Sequence, residues 1–257
     1  MQFLPESRQS LAVYLINMDR ATDRLGEMER KTRDVGLVFE RVSGVDGRTI
    51  VFPTPEFSEL SYKLLHGRLT VPPEVGCYLS HVECARRLLA SDADLALILE
   101  DDVSFEQDFI ETVDLAALHR NDWDLLRLTT VNRGRKYTFK SLKPGRGLAI
   151  ALTREKGAGA YIINRKAARW IVEKLVPMRL AYDIAFDLEY LYGLRAAFVY
   201  PLVASQHSEH ETQIQTNINS YKLPRWRYLT VLPVRAWFEI TRLVCRGALW
   251  LRLRAQR

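Results

Sequence analysis

The stretch Leu95-Ala-Leu-Ile-Leu-Glu-Asp-Asp102 decides the fold and indicates where a functional site lies. Its aliphatic residues, up to Leu99, are typical of a strand that is buried on both faces of a sheet. Three acids, Glu100, Asp101 and Asp102, follow where that strand leaves the sheet. Because ligands of open α/β sheets bind at the carboxyl ends of strands, we expect a site here.

The neighbouring acids also predict a bound cation. Two carboxylates about 4 Å apart repel each other by roughly 4 kcal/mol at an effective dielectric constant of about 20, and a cation relieves this repulsion. Carboxylate oxygens suit Mg²⁺ or Mn²⁺, with water and phosphate completing the coordination. A solvated acidic turn is the alternative interpretation of the same triplet.

Outward from this strand, strands alternate with helices, which predicts an α/β sandwich. Further strands are expected over residues 11–16, 39–42, 123–128, 148–152, 159–163 and 196–200. Helices are expected over residues 19–35, 72–90, 164–175 and 183–192, from their apolar faces and their terminal Pro, Asn and Gly residues. The basic segment 132–147 is expected to be a mobile loop, and residues 203–221 to be irregular.

Charge divides the chain into two parts. The net charge is +6, but residues 222–257 hold nine Lys or Arg against one Glu, so they carry +8 and residues 1–221 sum to −2. We therefore expect a globular domain over residues 1–221 and a basic tail over residues 222–257. Tryptophan, phenylalanine and aliphatic residues are interleaved with the arginines of the tail, which predicts an amphipathic helix on an anionic membrane surface.

Two alternatives remain for the tail: a helix packed on the globular domain, and nucleic-acid binding, for which the chain shows no recognised motif. No stretch reaches the roughly 18 apolar residues of a spanning helix. The segment Met1–Glu6 does not have the regions of a signal peptide. Cys77, Cys84 and Cys245 have no metal-binding spacing, and their odd number fits a reducing compartment. The expected location is the cytoplasmic face of the inner membrane, with no nucleic-acid partner.

Polar residues elsewhere point to the same edge of the sheet. Asn17 ends the first strand, and Arg20 and Arg24 share one face of the following helix, where they could clamp an anion. Surface salt bridges with nearby acids are the alternative. Ser80 and His81 lie beside an apolar stripe of the 72–90 helix. They either contact a ligand hydroxyl or serve the helix itself.

Together these segments resemble glycosyltransferase family 25, the lipopolysaccharide-biosynthesis type that also includes collagen galactosyltransferases. The segments that carry the resemblance are Val13–Arg20 with Asp23-Arg24, Phe39–Val42 with Val45–Gly47, Glu74–His81, Ile98–Val103 and Gly159–Ala168. The resemblance implies a GT-A-like fold, a UDP-sugar donor, a divalent metal (Mn²⁺ or Mg²⁺) and inversion at the anomeric carbon. We therefore expect a bacterial enzyme that moves a hexose, galactose first, to a lipid-linked saccharide of lipopolysaccharide or lipooligosaccharide.

The resemblance also assigns roles to the acids. Glu100-Asp101-Asp102 matches the metal-holding D-x-D element of GT-A enzymes in the form E-x-D. Glu100 would contact ribose or the metal and its water, and Asp102 would ligate the metal directly. Asp101 is assigned to donor binding, although its role in the element is ambiguous. A late histidine often completes the metal shell, so His207 is a candidate ligand and His210 an alternative.

The other implied roles concern the donor and the acceptor. Asn17, Arg20 and Arg24 would serve the nucleotide half of the site, with Ser80 and His81 also on the donor. The basic residues Arg133, Arg135 and Lys136 lie in a segment that either closes on the diphosphate or is simply solvated.

An inverting transfer needs a carboxylate that takes the proton of the acceptor hydroxyl. The family shows a Pro-x-Asp element, which Leu180–Asp183 matches without the proline. Asp183 is the first candidate base and Asp187, four residues on and on the same expected helix face, the second. Either side chain could instead cap or solvate the helix. Two rivals to the galactosyl reading are a UDP-glucose or UDP-N-acetylhexosamine donor, and a non-catalytic membrane-surface protein that retains the fold.

Overall fold

A computed structural model describes residues 2–4, 9–206 and 218–255 of the chain. Its strands are β1 (Gln2–Leu4), β2 (Gln9–Asn17), β3 (Glu40–Ser43), β4 (Leu95–Glu100), β5 (Val103–Phe105), β6 (Leu125–Arg127), β7 (Lys136–Lys143), β8 (Arg146–Ala151), β9 (Ala160–Asn164), β10 (Ala196–Tyr200) and β11 (Ala204–Gln206). Its α-helices are α1 (Thr22–Asp34), α2 (Glu59–His66), α3 (Pro72–Ala90), α4 (Phe109–Leu118), α5 (Arg165–Lys174), α6 (Tyr182–Ala185) and α7 (Tyr228–Ala255). Short 3₁₀ segments include Gly47–Thr49 and Phe186–Tyr192.

A mixed sheet of nine strands organises the part of the chain that the structure describes. Its strand order is β1-β2-β4-β9-β6-β10-β8-β7, and β3 also pairs with β2. Because β2 runs parallel to both β3 and β4, the carboxyl ends of these three strands meet at one edge. β9 runs antiparallel to β4 and β6 on either side of it. β5 and β11 form a separate antiparallel pair.

The central strand β4 requires cover on both faces of the sheet. Its aliphatic residues are at most 2% exposed. Alternate side chains of a strand point to opposite faces, so Ala96 and Ile98 pack with α3 and α5, whereas Leu95, Leu97 and Leu99 pack with α1 and α4. Each buried leucine contributes about 1.5–3 kcal/mol of transfer free energy. The predicted buried strand, the α/β sandwich and the C-terminal helix are confirmed.

The expectation of a mobile loop over residues 132–147 is wrong. β7 and β8 form an antiparallel hairpin at the end of the sheet, joined by a turn in which Gly145 has φ 79°. The charged residues mask a strand pattern in which Phe139 is buried. Lys136 is also buried, and its ammonium lies 3.0 Å from the Glu155 carboxylate at the base of the hairpin.

The expected continuous helix over residues 183–192 is also wrong. The α-helix α6 ends at Ala185, and the chain continues as a 3₁₀ segment with non-helical angles at Leu188 (φ −106°, ψ 15°). Asp183 and Asp187 therefore do not share one helix face. Asp187 is fully buried, whereas Asp183 remains partly accessible.

The C-terminal helix α7 packs on the sheet domain through a buried cluster of ions. The Arg246 guanidinium lies 2.8 Å from the Asp187 carboxylate and 2.7 Å from that of Glu189. Arg242 lies 3.1 Å from the second oxygen of Asp187. The four residues are at most 1% exposed. Arg242 and Arg246, two of the nine cations of the basic tail, are thus neutralised inside the protein. This is the arrangement expected if the tail is a helix packed on the globular domain.

Replacing Arg246 with alanine should lower the free energy of unfolding by about 3–5 kcal/mol, because the change leaves two buried carboxylates without their main cation. Urea unfolding followed by circular dichroism measures this change. The control is Arg252→Ala on the exposed side of the same helix, which should change the free energy by less than about 0.5 kcal/mol. Equal unfolding midpoints for the two variants would contradict the role assigned to the buried cluster.

Candidate active site

A cleft of about 1100 Å³ opens at the carboxyl ends of β2 and β4. It collects most of the predicted site residues, namely Asn17, Arg20, Arg24, Ser80, His81, Glu100, Asp101, Asp102 and Asp183. The parallel pairing of β2 with β4 explains why residues more than 80 positions apart in sequence meet here. Asp187 lies outside the cleft, within the ion cluster under α7.

One wall of the cleft is a tight contact between the 44–47 turn and α3. A Cβ atom on Gly47 would lie 1.7 Å from the Pro72 carbonyl oxygen, and one on Gly76 would lie 2.3 Å from that of Val45. The Ser80 hydroxyl completes the contact, since it accepts from the Val45 N–H (2.9 Å) and donates to the Gly76 carbonyl (2.8 Å). Ser80 therefore stabilises the wall of the cleft, and its hydroxyl makes both of these hydrogen bonds within the protein.

The middle acid of the triplet joins the first strand to the first helix. The Asp101 carboxylate accepts from Asn17 Nδ2 (2.8 Å) and pairs with Arg24 (2.9 Å). Asn17 in turn accepts from Arg41 Nε (3.1 Å). These contacts satisfy Asp101 within the protein and position Arg24. Arg20 lies farther out, with its guanidinium 2.8 Å from Asp46.

The outer acids of the triplet converge on one point. Gln206 Nε2 donates to Glu100 (2.8 Å) and lies 3.4 Å from Asp102 Oδ1. Burial, followed by the charge of Glu100, raises the pKa of Asp102 to about 6. Arg24 lies 3.6 Å from Asp102 and compensates this charge only in part. Two converging carboxylates with excess negative charge fit a hard divalent cation such as Mg²⁺ or Mn²⁺.

The sequence did not point to Gln206 as a site residue. Gln206 belongs to the polar stretch 203–221, in which only the histidines were candidates. The backbone of Gly159 explains how Gln206 approaches, because a Cβ atom there would lie 2.3 Å from the Gln206 side chain. His207 and His210 follow directly, but both lie outside the described residues. Arg133 and Arg135 are exposed on the β7 side and do not line the cleft.

A series of buried polar side chains in contact with one another positions Glu100. His81 Nε2 lies 3.1 Å from Glu100, and Nδ1 lies 3.0 Å from the Tyr161 hydroxyl. The hydroxyls of Tyr161 and Tyr182 lie 3.0 Å apart, and the His81 ring stacks on Tyr182 at 4.2 Å. His81 is 1% exposed, so it orients Glu100. Tyr161 lies within the Gly159–Ala168 segment and Tyr182 within Leu180–Asp183, but the contact of either ring with His81 depends on the fold.

A softer set of donor atoms lies next to this site. Within the described residues, Cys77, His81 and Glu100 hold ligand atoms within 4.8 Å of one another. Burial, followed by the charges of Glu100 and Asp183, raises the pKa of the Cys77 thiol well above its usual value. A protonated thiol is a poor metal ligand, so the carboxylates of Glu100 and Asp102 remain the favoured donors.

The two candidate bases occupy different environments. Asp183 lines the cleft, and burial raises the pKa of its carboxyl while nearby Lys156 opposes the shift. Arg127 and Arg246 contact Oδ1 of Asp187, while Oδ2 lies beside Arg242 and accepts from the Glu155 N–H. The structure therefore brings Asp183 to the other candidate residues and keeps Asp187 in the core.

The fold and the cleft are those of an α/β enzyme with an acidic ligand site at the carboxyl edge of its sheet. Residues 10–186 match the model of glycosyltransferase family 25, described as an LPS biosynthesis protein, and the chain belongs to that family.

Curated relatives are consistent with this assignment. Procollagen galactosyltransferase 1-B of Xenopus laevis is 28% identical over 205 residues, which are 72% of this chain and 32% of the relative. Procollagen galactosyltransferase 2 of Homo sapiens is 28% identical over 128 residues, 44% of this chain and 20% of the relative. The chain thus spans a third or less of the length of these relatives.

Among solved structures, a glycosyltransferase involved in the glycosylation of the major capsid of PBCV-1 is 10% identical, with a TM-score of 0.39 over 78% of this chain and 96% of that one.

Replacing Asp102 with asparagine keeps the shape of the side chain and removes one of the converging charges. In EDTA the melting temperature should hold or rise by about 2–4 °C, as expected when about 1 kcal/mol of repulsion is relieved in a chain of this size. Mn²⁺ should raise the melting temperature of the parent protein and have little effect on the variant. Differential scanning fluorimetry gives both values, with Asp92→Asn, exposed before the start of β4, as the control. A lower melting temperature in EDTA, or full stabilisation by Mn²⁺, would count against the cation site.

Proposed function

We propose that this chain transfers a hexose, galactose first, from a UDP-sugar to a saccharide acceptor, with inversion at the anomeric carbon. The observation that carries the proposal is the presence in one cleft of the Glu100–Asp102 pair, flanked by Arg20 and Arg24, together with the carboxylate of Asp183. Membership of family 25 and the galactosyltransferase names of the relatives support the choice of chemistry and of galactose.

The relative positions of these groups fit a displacement reaction. Glu100, Asp183 and the Cys77 side chain all line the same cleft. The arginines lie on the far side of the acidic triplet, beside the end of β2. A nucleotide diphosphate can therefore occupy the arginine side, with its sugar directed towards Asp183.

In the proposed step, Asp183 accepts the proton of the acceptor hydroxyl while the hydroxyl oxygen forms a bond to the anomeric carbon. The bond from that carbon to the diphosphate oxygen breaks, and its electron pair leaves with UDP. Glu100 and Asp102 would hold a divalent cation, which would supply positive charge to the leaving diphosphate. His81 and Gln206 keep Glu100 oriented, and Arg24 adds positive charge on the nucleotide side.

If Asp183 is the base, Asp183→Asn should lower kcat/KM for transfer by about 10²–10⁴-fold. The Kd for UDP, measured by calorimetry with Mn²⁺, should stay within about twofold, since the residue faces the acceptor. A base works only when deprotonated, and burial raises the pKa of this carboxyl above its ordinary value of about 3.9. The activity of the parent enzyme should therefore rise with pH through that raised pKa.

Controls separate this proposal from its rivals. Asp187→Asn should reduce stability through its buried arginine partners, with activity per folded molecule largely kept. Slow hydrolysis of UDP-galactose, UDP-glucose and UDP-N-acetylhexosamines, measured side by side, identifies the donor. Absence of UDP binding in the parent protein would favour the non-catalytic alternative, and an active Asp183→Asn variant would rule out the assigned base.

We also propose that α7 attaches the protein to an anionic membrane surface that carries a lipid-linked acceptor. Large apolar side chains at helical spacing remain exposed on its outer face, among them Leu229 (80%), Ile240 (63%), Val244 (64%) and Leu251 (62%). Exposed Arg225, Arg252 and Arg254 lie near the two ends of this face. No helix of the described residues has the length and hydropathy to cross a bilayer. The arrangement therefore favours binding in the plane of the interface.

Substitutions on the outer face test this attachment without disturbing the buried arginines. The double variant Leu243→Gln, Val244→Gln should co-sediment with phosphatidylglycerol-containing liposomes at least about tenfold less, since burial of each side chain is worth roughly 1.5–3 kcal/mol. The control is Val38→Gln, Val51→Gln, which changes two exposed valines on the sheet domain (79% and 84% exposed). Sedimentation that is equal for parent, variant and control would eliminate the membrane role of α7.

A further inference from the structure

A second group of charged residues lines the cleft, and the reaction proposed above does not use it. It consists of His66, Arg68, Arg154 and Arg235, with Lys222 nearby, and is called here the basic cluster. Its members come from the end of α2, the segment between β8 and β9, and the first turns of α7. A β-bridge between Arg68, just after α2, and Lys222, ahead of α7, joins these two parts of the chain.

The positive charge of the basic cluster is poorly neutralised. Arg68 lies 2.8 Å from Glu74, but neither Arg154 nor Arg235 forms an ion pair with an acid among residues 2–4, 9–206 and 218–255. Burial and then the neighbouring charges of Arg154 and Arg68 lower the pKa of Arg235. Cations that crowd one wall of an open cleft attract a negatively charged ligand.

His66 provides a second, independent sign of a ligand. It is 6% exposed and lines the cleft, yet neither ring nitrogen has a hydrogen-bond partner in the described part of the chain. Its Nε2 atom lies 4.0 Å from the Glu74 carboxylate, beyond hydrogen-bond distance. Burial and the charge of Arg68 lower its pKa to about 3, so the ring is neutral and has one donor and one acceptor to offer. Buried polar atoms without partners are uncommon and call for an explanation.

The basic cluster lies on the acceptor side of the cleft. Arg154 and Lys156 line the cleft together with Asp183. Burial raises the pKa of the Asp183 carboxyl, and the charges of Lys156 and Arg154 oppose that rise. On the proposed nucleotide side, Arg24 pairs with Asp101 of the acidic triplet, and Arg20 lies farther out beside Asp46. Arg68 pairs with Glu74 in the first turn of α3, whereas His81, two turns further along that helix, contacts Glu100. The basic cluster and the acidic triplet therefore lie at different points along α3.

We propose that the basic cluster binds an anionic group, a phosphate or a carboxylate, carried by the acceptor close to the hydroxyl that is glycosylated. This inference rests on the proposed transfer reaction. Guanidinium groups match the two oxygens of either anion in a bidentate manner, and the neutral His66 ring adds one hydrogen bond. Because Arg235 belongs to α7, the C-terminal helix forms part of the acceptor site.

Calorimetry on the full chain tests the proposal with three probes: glucose 6-phosphate, glucuronate and uncharged glucose. Saturating UDP and Mn²⁺ occupy the donor half during the titration, so that a bound probe reports the remaining space. At least one charged probe should bind tenfold or more tightly than glucose. If only glucose 6-phosphate binds tightly, the acceptor carries a phosphate. If only glucuronate binds tightly, the acceptor carries a carboxylate. If both bind tightly, the site accepts either anion.

Arg154→Gln and Arg235→Gln should each raise the Kd of the charged probe at least fivefold and leave the Kd of UDP within twofold. The matched control is Arg225→Gln, an exposed arginine just before α7 and outside the cleft, which should bind the probe like the parent. Charged probes that bind no better than glucose would overturn the inference. So would Arg154 or Arg235 variants that lose UDP affinity, since the cluster would then belong to the donor.

The same titration separates this inference from the proposed function. If the parent protein does not bind UDP, the transfer reaction is in doubt, and the probes are then titrated without nucleotide. Probe binding that depends on Arg154 and Arg235 would still support an anion site. If UDP binds and no charged probe does, the donor site stands and the acceptor inference alone fails.

Discussion

The parallel pairing of β2 with β4 is the constraint on which the candidate site depends. The register places Ile16 opposite Glu100, so the ends of both strands reach the same edge of the sheet. Asn17 then meets Asp101, and the helix that follows β2 delivers Arg24 to the same carboxylate. One acid of the triplet is thereby satisfied within the fold, which leaves Glu100 and Asp102 directed at the cleft.

The different surroundings of Asp101 and of the outer pair, Glu100 and Asp102, explain why three consecutive acids are tolerated. A fully compensated triplet would hold no cation, and an uncompensated one would destabilise the end of β4. Arg24 reaches Asp101 closely and Asp102 only at 3.6 Å, and the neutral amide of Gln206 bridges the outer pair. Burial, followed by the charge of Glu100, raises the pKa of Asp102, and a divalent cation bound between these two carboxylates would relieve the repulsive part of that effect.

Local sequence signals predicted the sheet and the edge at which the site lies. The apolar run of β4 and the acids after it depend only on neighbours in sequence, as do the caps and breakers of the helices. Strand β8 was expected over residues 148–152, but its partner β7 was missed because charge was given more weight than alternation. The role of Asp187 was missed because it depends on Arg242 and Arg246, which come from a helix more than 50 residues later. Likewise, nothing near His81 in sequence indicates that Tyr161 supports it.

The arginines of α7 show why charge counting cannot assign a function to a basic segment. Arg246 neutralises acids in the core, Arg235 faces the cleft, and Arg252 is exposed to solvent, although all three contribute equally to the net charge of the tail. Position around the helix separates these roles. One face is anchored by the buried ion cluster, a neighbouring face completes the basic wall of the cleft, and the outer face carries exposed apolar side chains. A membrane bound to that outer face would lie against the same helix that supplies Arg235. The head group of a lipid-linked acceptor would then lie near the cleft without any movement of the sheet domain.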